Sequence, residues 1–490
     1  MENIYNNYNS LGFNTPYCVN DRSISTYNSF NDAIELSGFD EIDLVAFIQV
    51  LSKGYCFGDR TLVKHIKRSR WMAKPSPDYS AWDYFDLPQH GETLYSEGEI
   101  ADKLYCLLEK ELMEICGGKS HIGILLSGGM DSRITAGVLK NLIKSGKIDS
   151  KVIAITWGIE NSRDTIYAKI IATQYGWDWE HITLTASSLI ENIEVSSELG
   201  CEVSPIHLHG IPRVRLLKGL DCILASSFGD SIGRGVYSGR HISKLSNTQK
   251  YIKNWYFLMK SGYFIKNKSR AGMDLEQYRK IYDRKDESQY LELEQQAHYM
   301  RRLLNPCINL INKNIPTYQT FSSPEIYGFM WSISEKKRND NIYSIIIHRY
   351  MQDIGDIPWS KSGIEYLSEV GNPDTYIRNF HFYHKWINEE LYENLLDTLE
   401  QSHLDNMEIF NKKALLNAIH FNRKIKTDKV TRIDEIFVWL IAVLKMIEKY
   451  NLKILVDPIP YTIVDSINSA FVKPYLIFVD KGIRIGKALR

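Results

Sequence analysis

Residues 121–132 read His-Ile-Gly-Ile-Leu-Leu-Ser-Gly-Gly-Met-Asp-Ser, and this stretch decides the fold. The apolar run from His121 to Leu126 predicts a buried strand. The residues from Ser132 to Gly146 predict a helix, because their apolar positions recur on one face. Glycines let a backbone approach an anion closely, and the amino end of a helix attracts negative charge. The segment therefore predicts a strand, a phosphate-binding turn and a helix in direct succession.

The polar residues of this turn have distinct predicted roles. The backbone of Gly128 and Gly129 and the hydroxyls of Ser127 and Ser132 are predicted to bind phosphate. Asp131 is predicted to hold Mg²⁺, which takes oxygen ligands beside phosphates. No Gly-Lys-Ser/Thr sequence follows the turn, and no Gly-x-Gly-x-x-Gly fingerprint is present, which separates this loop from those of other nucleotide-binding folds.

Short strands alternate with helices on both sides of the turn. Further strands are predicted at Lys151–Thr156, His181–Leu184 and Asp221–Ala225. Helices are predicted at Asp164–Tyr175 and in a segment that ends at 216–219. This alternation predicts an α/β fold with a parallel sheet, and the chain from about residue 240 onward is mainly helical in pattern.

Composition limits the classes of partner and location. Lys plus Arg equals Asp plus Glu at 59 each, so the net charge points to no polyanionic partner. The start lacks a signal-peptide pattern, and the longest apolar run near the carboxyl end, 436–444, is too short to span a bilayer. We expect a cytoplasmic protein with no membrane partner and no nucleic-acid partner. The seven cysteines include no Cys-x-x-Cys pair, which argues against a disulfide scaffold.

The Ser-Gly-Gly-x-Asp-Ser sequence resembles the loop of the PP-loop ATP pyrophosphatases, and Leu-Leu-Ser-Gly-Gly-Met-Asp-Ser most resembles the synthetase domain of asparagine synthetase. Three further stretches resemble that family, at residues 43–66, 155–164 and 224–230. The resemblance implies an adenine nucleotide α-hydrolase-like, parallel-sheet domain at residues 96–370. A small remnant region would precede it at 1–95, and a mainly helical region would follow at 371–490.

The resemblance also implies an activity and further site residues. The enzyme would be a ligase that forms C–N bonds, releasing AMP and pyrophosphate from ATP through an acyl-adenylate. Leu125 would meet adenine, Asp230 would be the second magnesium ligand beside Asp131, and Lys361 would stabilise adenylation. The local alternatives are that Asp230 belongs to a turn and helix cap and that Lys361 is an ordinary surface lysine. Arg234 and Arg240 are expected to contact phosphate or substrate.

Departures from the family leave the acceptor and the nitrogen donor open. Residue 2 is Glu2 rather than a catalytic cysteine, and about 120 residues precede the loop, so we expect no complete glutaminase domain. The resemblance then implies free ammonia, a separate glutaminase or an amine, acting on a small-molecule or carrier-bound carboxylate. Ser227 and Ser231 stand where the family has acids, which keeps open a non-catalytic nucleotide-binding homologue. A tRNA-modifying PP-loop enzyme is the other alternative.

His207 and His209 are either substrate-pocket residues or locally hydrogen-bonded ones.

Overall fold

The computed structural model describes residues 8–20, 23–246, 251–401 and 408–488, with side chains described as far as residue 478. Glu2 therefore lies outside the described residues. The strands are β1 (Tyr17–Asn20), β2 (Ile24–Tyr27), β3 (Ile66–Arg68), β4 (Ala73–Pro75), β5 (Trp82–Tyr84), β6 (His121–Leu125), β7 (Lys151–Gly158), β8 (Asp178–Thr183), β9 (Cys222–Ala225), β10 (Val236–Tyr237), β11 (Arg240–His241) and β12 (Thr317–Gln319).

Helices surround these strands and dominate the second half of the chain. They are α1 (Phe30–Ser37), α2 (Leu44–Lys53), α3 (Glu97–Cys116), α4 (Met130–Lys144), α5 (Arg163–Gln174), α6 (Ala186–Glu198), α7 (Ile211–Val214), α8 (Ser261–Met273), α9 (Glu287–Glu294), α10 (Asn305–Ile308), α11 (Pro324–Ser332), α12 (Asp340–Tyr350), α13 (Tyr383–Lys385), α14 (Tyr392–Gln401), α15 (Lys412–Asn422), α16 (Arg432–Lys449) and α17 (Ile463–Ala488). A π-helical segment, Gln295–Leu304, joins α9 to α10 without a break.

The central sheet has five parallel strands in the order β12-β9-β6-β7-β8. Strand β6 lies in the middle, and its apolar side chains Ile122 and Ile124 are fully buried. The chain proceeds outward from β6 through β7 to β8 and then returns to the other side of β6 as β9. In open parallel sheets, such a reversal leaves a crevice at the carboxyl ends of the two strands beside it, where ligands bind.

The predicted fold class is confirmed: a parallel sheet carries helices on its connections, and a helical region follows. Helix α5 begins after Ser162, whose hydroxyl accepts the N–H of Thr165, as a helix cap does. The helix predicted to end at 216–219 is wrong, because α7 stops at Val214 after one turn. Gly219 then adopts φ = 76° and turns the chain into β9. Strand β12 was not predicted.

The described residues between 8 and 95 include two small antiparallel sheets, and buried ion pairs join this part of the chain to the remainder. Strands β1 to β3 make a sheet in the order β2-β1-β3, and β4 pairs with β5. Arg301 pairs with Asp59 at 2.9 Å, and Arg68 pairs with Glu202 at 3.0 Å. All four of these side chains are buried, so separating the two parts of the chain would leave charges unpaired in an apolar interior.

The carboxyl-terminal region packs through helix α16, most of whose length is buried. Phe47 of α2 lies with its ring centroid 4.8 Å from that of Trp439 in α16, so this region contacts the amino-terminal one directly. Among the described residues, no helix combines the length and the apolar character that a membrane crossing requires.

Glu111 of α3 ties that helix to the turn that follows β12. Its carboxylate accepts backbone N–H groups from Phe321, Ser322 and Ser323 at 2.9, 3.1 and 2.8 Å. The three donors lie in the turn immediately before α11, whose first residue is Pro324. Glu111 therefore links the edge strand to the helical layer.

We expect Glu111→Ala to lower the free energy of unfolding by about 1–3 kcal/mol, because buried N–H groups lose their acceptor. Urea denaturation measures the change. Glu114→Ala, three residues further along the same helix and exposed, is the matched control and should be neutral. Equal effects of the two substitutions would contradict the role of Glu111 in holding this turn.

Candidate active site

The turn after β6 presents an open helix terminus. Gly129 is the residue that caps α4, and it has no side chain that could accept an N–H from the first turn of that helix. The Ser127 hydroxyl accepts the N–H of Gly129 at 3.1 Å, and the Ser127 N–H donates to the hydroxyl of Ser132 at 3.2 Å. The two serines thus fix the turn and leave the helix amino end to attract an anion.

Residues 357–360, which are distant in the sequence, support the turn. A Cβ atom on Gly128 would lie 2.8 Å from the Cβ of Ser360, so only glycine fits there. Arg133, fully buried, donates to the carbonyls of Ile357 at 2.6 Å and Pro358 at 2.9 Å. The Ser360 N–H donates to the Gly128 carbonyl at 3.1 Å. These bonds fix the shape of the turn before any ligand binds.

A cavity of about 330 Å³ opens at the carboxyl ends of β6, β7 and β9. The turn forms its polar side, and Trp157 and Phe380 contribute aromatic rings to the other side. The lining residues are Leu125, Leu126, Ser127, Gly129, Asp131, Ser132, Ile155, Thr156, Trp157, Asp164, His209, Ala225, Ser226, Ser227, Ile308 and Phe380. A polar, anion-attracting end and an aromatic end suit a ligand that has both phosphate and a ring system.

His209 belongs to the aromatic side of this cavity. Its ring lies nearly parallel to that of Trp157, with centroids 6.4 Å apart, and its Nδ1 is 3.2 Å from the Tyr383 hydroxyl. Burial, with the neighbouring imidazoles His381 and His207, holds the pKa of His209 well below its usual value, so the ring is neutral at pH 7. Of the two histidines noted in the sequence, His209 lines the cavity and His207 does not.

The two predicted magnesium ligands lie close together. Asp131 is in the first turn of α4, and Asp230 is in a π-helical turn, Gly229–Gly233, that follows β9. The Arg234 guanidinium contacts both: its Nε is 3.3 Å from Asp131 Oδ1, and another of its nitrogens pairs with Asp230. A Cβ atom on Gly229 would lie 2.5 Å from the Asp131 Cβ, so the backbone after β9 touches this aspartate.

Negative charge exceeds positive charge in this cluster. Asp340 also pairs with Arg234, at 2.7 Å, so one guanidinium faces three carboxylates. The Oδ1 atoms of Asp131 and Asp230 are buried, and both are paired with the Arg234 guanidinium. Burial raises the pKa of Asp131, and the Arg234 charge opposes that rise. Carboxylate oxygens in a cluster with excess negative charge are ligands that a divalent cation accepts, but the described residues contain no group of three or more such side chains arranged to hold one.

Lys361 occupies a neighbouring cavity rather than the first one. That cavity measures about 620 Å³, and Asp230, Arg234 and Arg240 also line it. The Lys361 Nζ lies 4.8 Å from the centroid of the Trp359 ring. Asp230 and Arg234 line the cavity that contains Lys361, and Arg234 also contacts Asp131, which lines the first cavity.

The structure therefore groups most of the predicted residues. Leu125, Ser127, Gly129, Asp131 and Ser132 line one cavity, Gly128 packs behind them, and Asp230 adjoins Asp131. Sequence reasoning missed Asp340, which begins α12, and Asp164, which lines the cavity next to the turn. Asp164 ends the stretch 155–164 that resembles the family, which was a signal for it, whereas Asp340 belongs to none of the matched stretches.

Residues 107–308 match the family model described as asparagine synthase. The matched residues include the turn, Asp131, Asp230 and Arg234, and they end before Lys361.

Individual relatives share less with the chain. The asparagine synthetase [glutamine-hydrolyzing] of Gallus gallus is 28% identical over 95 residues, which cover 19% of this chain and 17% of that protein. The chain thus matches only about a sixth of the curated relative's length. Among solved structures, NMN synthetase from Francisella tularensis matches at 13% identity and a TM-score of 0.21, covering 50% of this chain and 97% of that one.

The contact between Gly229 and Asp131 gives a stability test of the site. We expect Gly229→Ala to lower the free energy of unfolding by about 1–3 kcal/mol, because a methyl group there must displace Asp131. Gly272→Ala in α8 is the control, since a Cβ atom there would meet its nearest neighbour at 3.9 Å. Chemical denaturation would contradict this packing if both variants unfolded at the same urea concentration as the parent protein.

Proposed function

We propose that this protein is a ligase that cleaves ATP between the α- and β-phosphates and joins a carboxylate to an amine through an acyl-adenylate. The observation that carries the proposal is the meeting of Asp131 and Asp230 beside the open amino end of α4. That meeting lies where the sheet reverses its strand order, which is the expected ligand position in such a sheet.

The cavity suggests how ATP would bind. The β- and γ-phosphates would lie on the N–H groups at the start of α4 and on the hydroxyls of Ser127 and Ser132. The adenine would lie near Leu125, toward the ring of Phe380. Asp131 and Asp230 would hold a magnesium ion, which offsets negative charge on the phosphate oxygens when it is bound.

The second cavity would admit the acceptor. A carboxylate oxygen would attack the α-phosphorus, the bond to the bridging oxygen would break, and pyrophosphate would leave. Lys361 would stabilise the charge that builds on the α-phosphate oxygens. An amine would then attack the carbonyl carbon of the acyl-adenylate, and AMP would leave as the amide forms.

The nitrogen donor and the acceptor belong to the same proposal. Free ammonia, a separate glutaminase or an amine would provide nitrogen, and the acceptor would be a small-molecule or carrier-bound carboxylate. Ser227 lines the ATP cavity, with its N–H donating to Gln319 Oε1 at 3.0 Å. Ser231 is fully buried and donates to the Phe228 carbonyl at 3.4 Å. Neither position provides a carboxylate to accept the amine's proton, which favours nucleotide binding without catalysis as the second candidate.

Asp131→Asn tests the phosphate chemistry. With α-labelled ATP and a panel of carboxylates, the parent protein should form AMP, and the variant should form it at least about 100-fold more slowly, because one charge that organises the phosphates is lost. Asp356→Asn, an exposed aspartate beside the segment that supports the turn, is the control. Formation of ADP would contradict the proposed cleavage site. Calorimetric binding of ATP without AMP formation would identify the second candidate.

Lys361→Ala separates adenylation from ATP binding. Because Lys361 is proposed to stabilise the charge that builds on the α-phosphate oxygens, we expect its loss to lower the rate of AMP formation about 100-fold. The dissociation constant for α,β-methylene-ATP should change less than about threefold, since the lysine does not line that cavity. Lys385→Ala, at an exposed position in α13, provides the comparison. A large loss of nucleotide affinity with an unchanged rate would remove Lys361 from the proposed chemistry.

A further inference from the structure

Arg234 is built into its position from several sides. Its side chain is 6% exposed, and its guanidinium carbon lies 5.3 Å from the centroid of the Tyr343 ring and 6.0 Å from that of Trp359. One of its terminal nitrogens donates a hydrogen bond to Asp340 Oδ1 at 2.7 Å. Both Tyr343 and Asp340 come from α12, so that helix places the guanidinium between the two aspartates.

The backbone beside Arg234 packs closely against the same helix. A Cβ atom on Gly233 would lie 2.2 Å from the Tyr343 hydroxyl, and that hydroxyl donates to the Gly229 carbonyl at 2.9 Å. The turn that carries Asp230 is therefore held against α12 by a hydrogen bond at Gly229 and by close packing at Gly233. Arg234 follows this turn directly, so its side chain has little freedom to leave the cluster.

The guanidinium contacts both oxygens of Asp131. Nε lies 3.3 Å from Oδ1, and a terminal nitrogen donates to Oδ2 at 3.3 Å. That terminal nitrogen also pairs with Asp230. The space that joins the two carboxylates is therefore already filled by a positive charge.

We propose that Arg234 is a resident cation of the aspartate pair, which excludes a free divalent ion from the nucleotide-free protein. This inference rests on the proposed function, because it concerns the ion that accompanies ATP. A divalent ion between the same carboxylates would face the guanidinium at close range, and the two positive charges repel. The phosphates of ATP add negative charge that compensates both cations, so the ion enters together with the nucleotide.

The resident charge also explains how the aspartates stay together without metal. Three carboxylates clustered in a partly buried place repel one another, and without a cation they would separate or take up protons. Arg234 offsets one of their charges and leaves two. The remaining charge favours entry of a divalent ion once the phosphates lie on the turn.

Binding of Mn²⁺ to the nucleotide-free protein, measured by electron paramagnetic resonance, tests this inference without any ligase activity. The parent protein should bind Mn²⁺ weakly, and Arg234→Ala should bind it at least about tenfold more tightly. Adding Asp230→Asn to that variant should abolish the gain. Arg213→Ala is the matched control, since it removes an exposed arginine that pairs with Glu191 and should leave Mn²⁺ affinity unchanged.

Two further variants keep the result interpretable. Should Arg234→Ala unfold, Arg234→Gln removes the charge while keeping a donor for Asp340, and it should show the same gain, whereas Arg234→Lys should resemble the parent. Parent protein that binds Mn²⁺ as tightly as the charge-removing variants would overturn the inference. A gain that persists with Asp230→Asn would also overturn it. Failure of AMP formation alongside the expected Mn²⁺ gain would reject the ligase proposal and leave the resident cation in place.

Discussion

The ion pairs that Arg234 makes with Asp131 and Asp230 join two loops that are far apart in the sequence. One loop follows the central strand of the sheet and the other follows its neighbour across the reversal of strand order. Parallel strands place their carboxyl ends at one edge, which brings the loops near each other. The guanidinium then holds together carboxylates that would otherwise repel.

The loops depend on support from the helical half of the chain. Arg133 donates to carbonyls in the segment at 357–358, and Gly128 packs against Ser360. Helix α12 supplies Asp340 and Tyr343 to the aspartate cluster. The turn after β6 is therefore preorganised by residues that follow it by more than two hundred positions, which reduces the cost of ordering it when a ligand binds.

In the proposed reaction, each of the two cavities would bind one of the two reactants. One has an anion-attracting end and an aromatic end, and the other exposes Lys361 and Arg240 around Asp230. The aspartate cluster is the boundary between them. A nucleotide in the first cavity would turn its phosphates toward this boundary, and an acceptor in the second cavity would approach from the opposite side.

The sequence by itself determined the strand, turn and helix at 121–146 and the α/β class, and it predicted a phosphate-binding role for the turn. These features follow from local rules, since apolar periodicity and paired glycines act over a few residues. Only the tertiary structure decided that β12 joins the sheet edge, that Asp340 completes the cluster and that Lys361 faces a separate cavity. Each of those depends on contacts between residues far apart in the chain, and a local pattern carries no information about which distant segments meet.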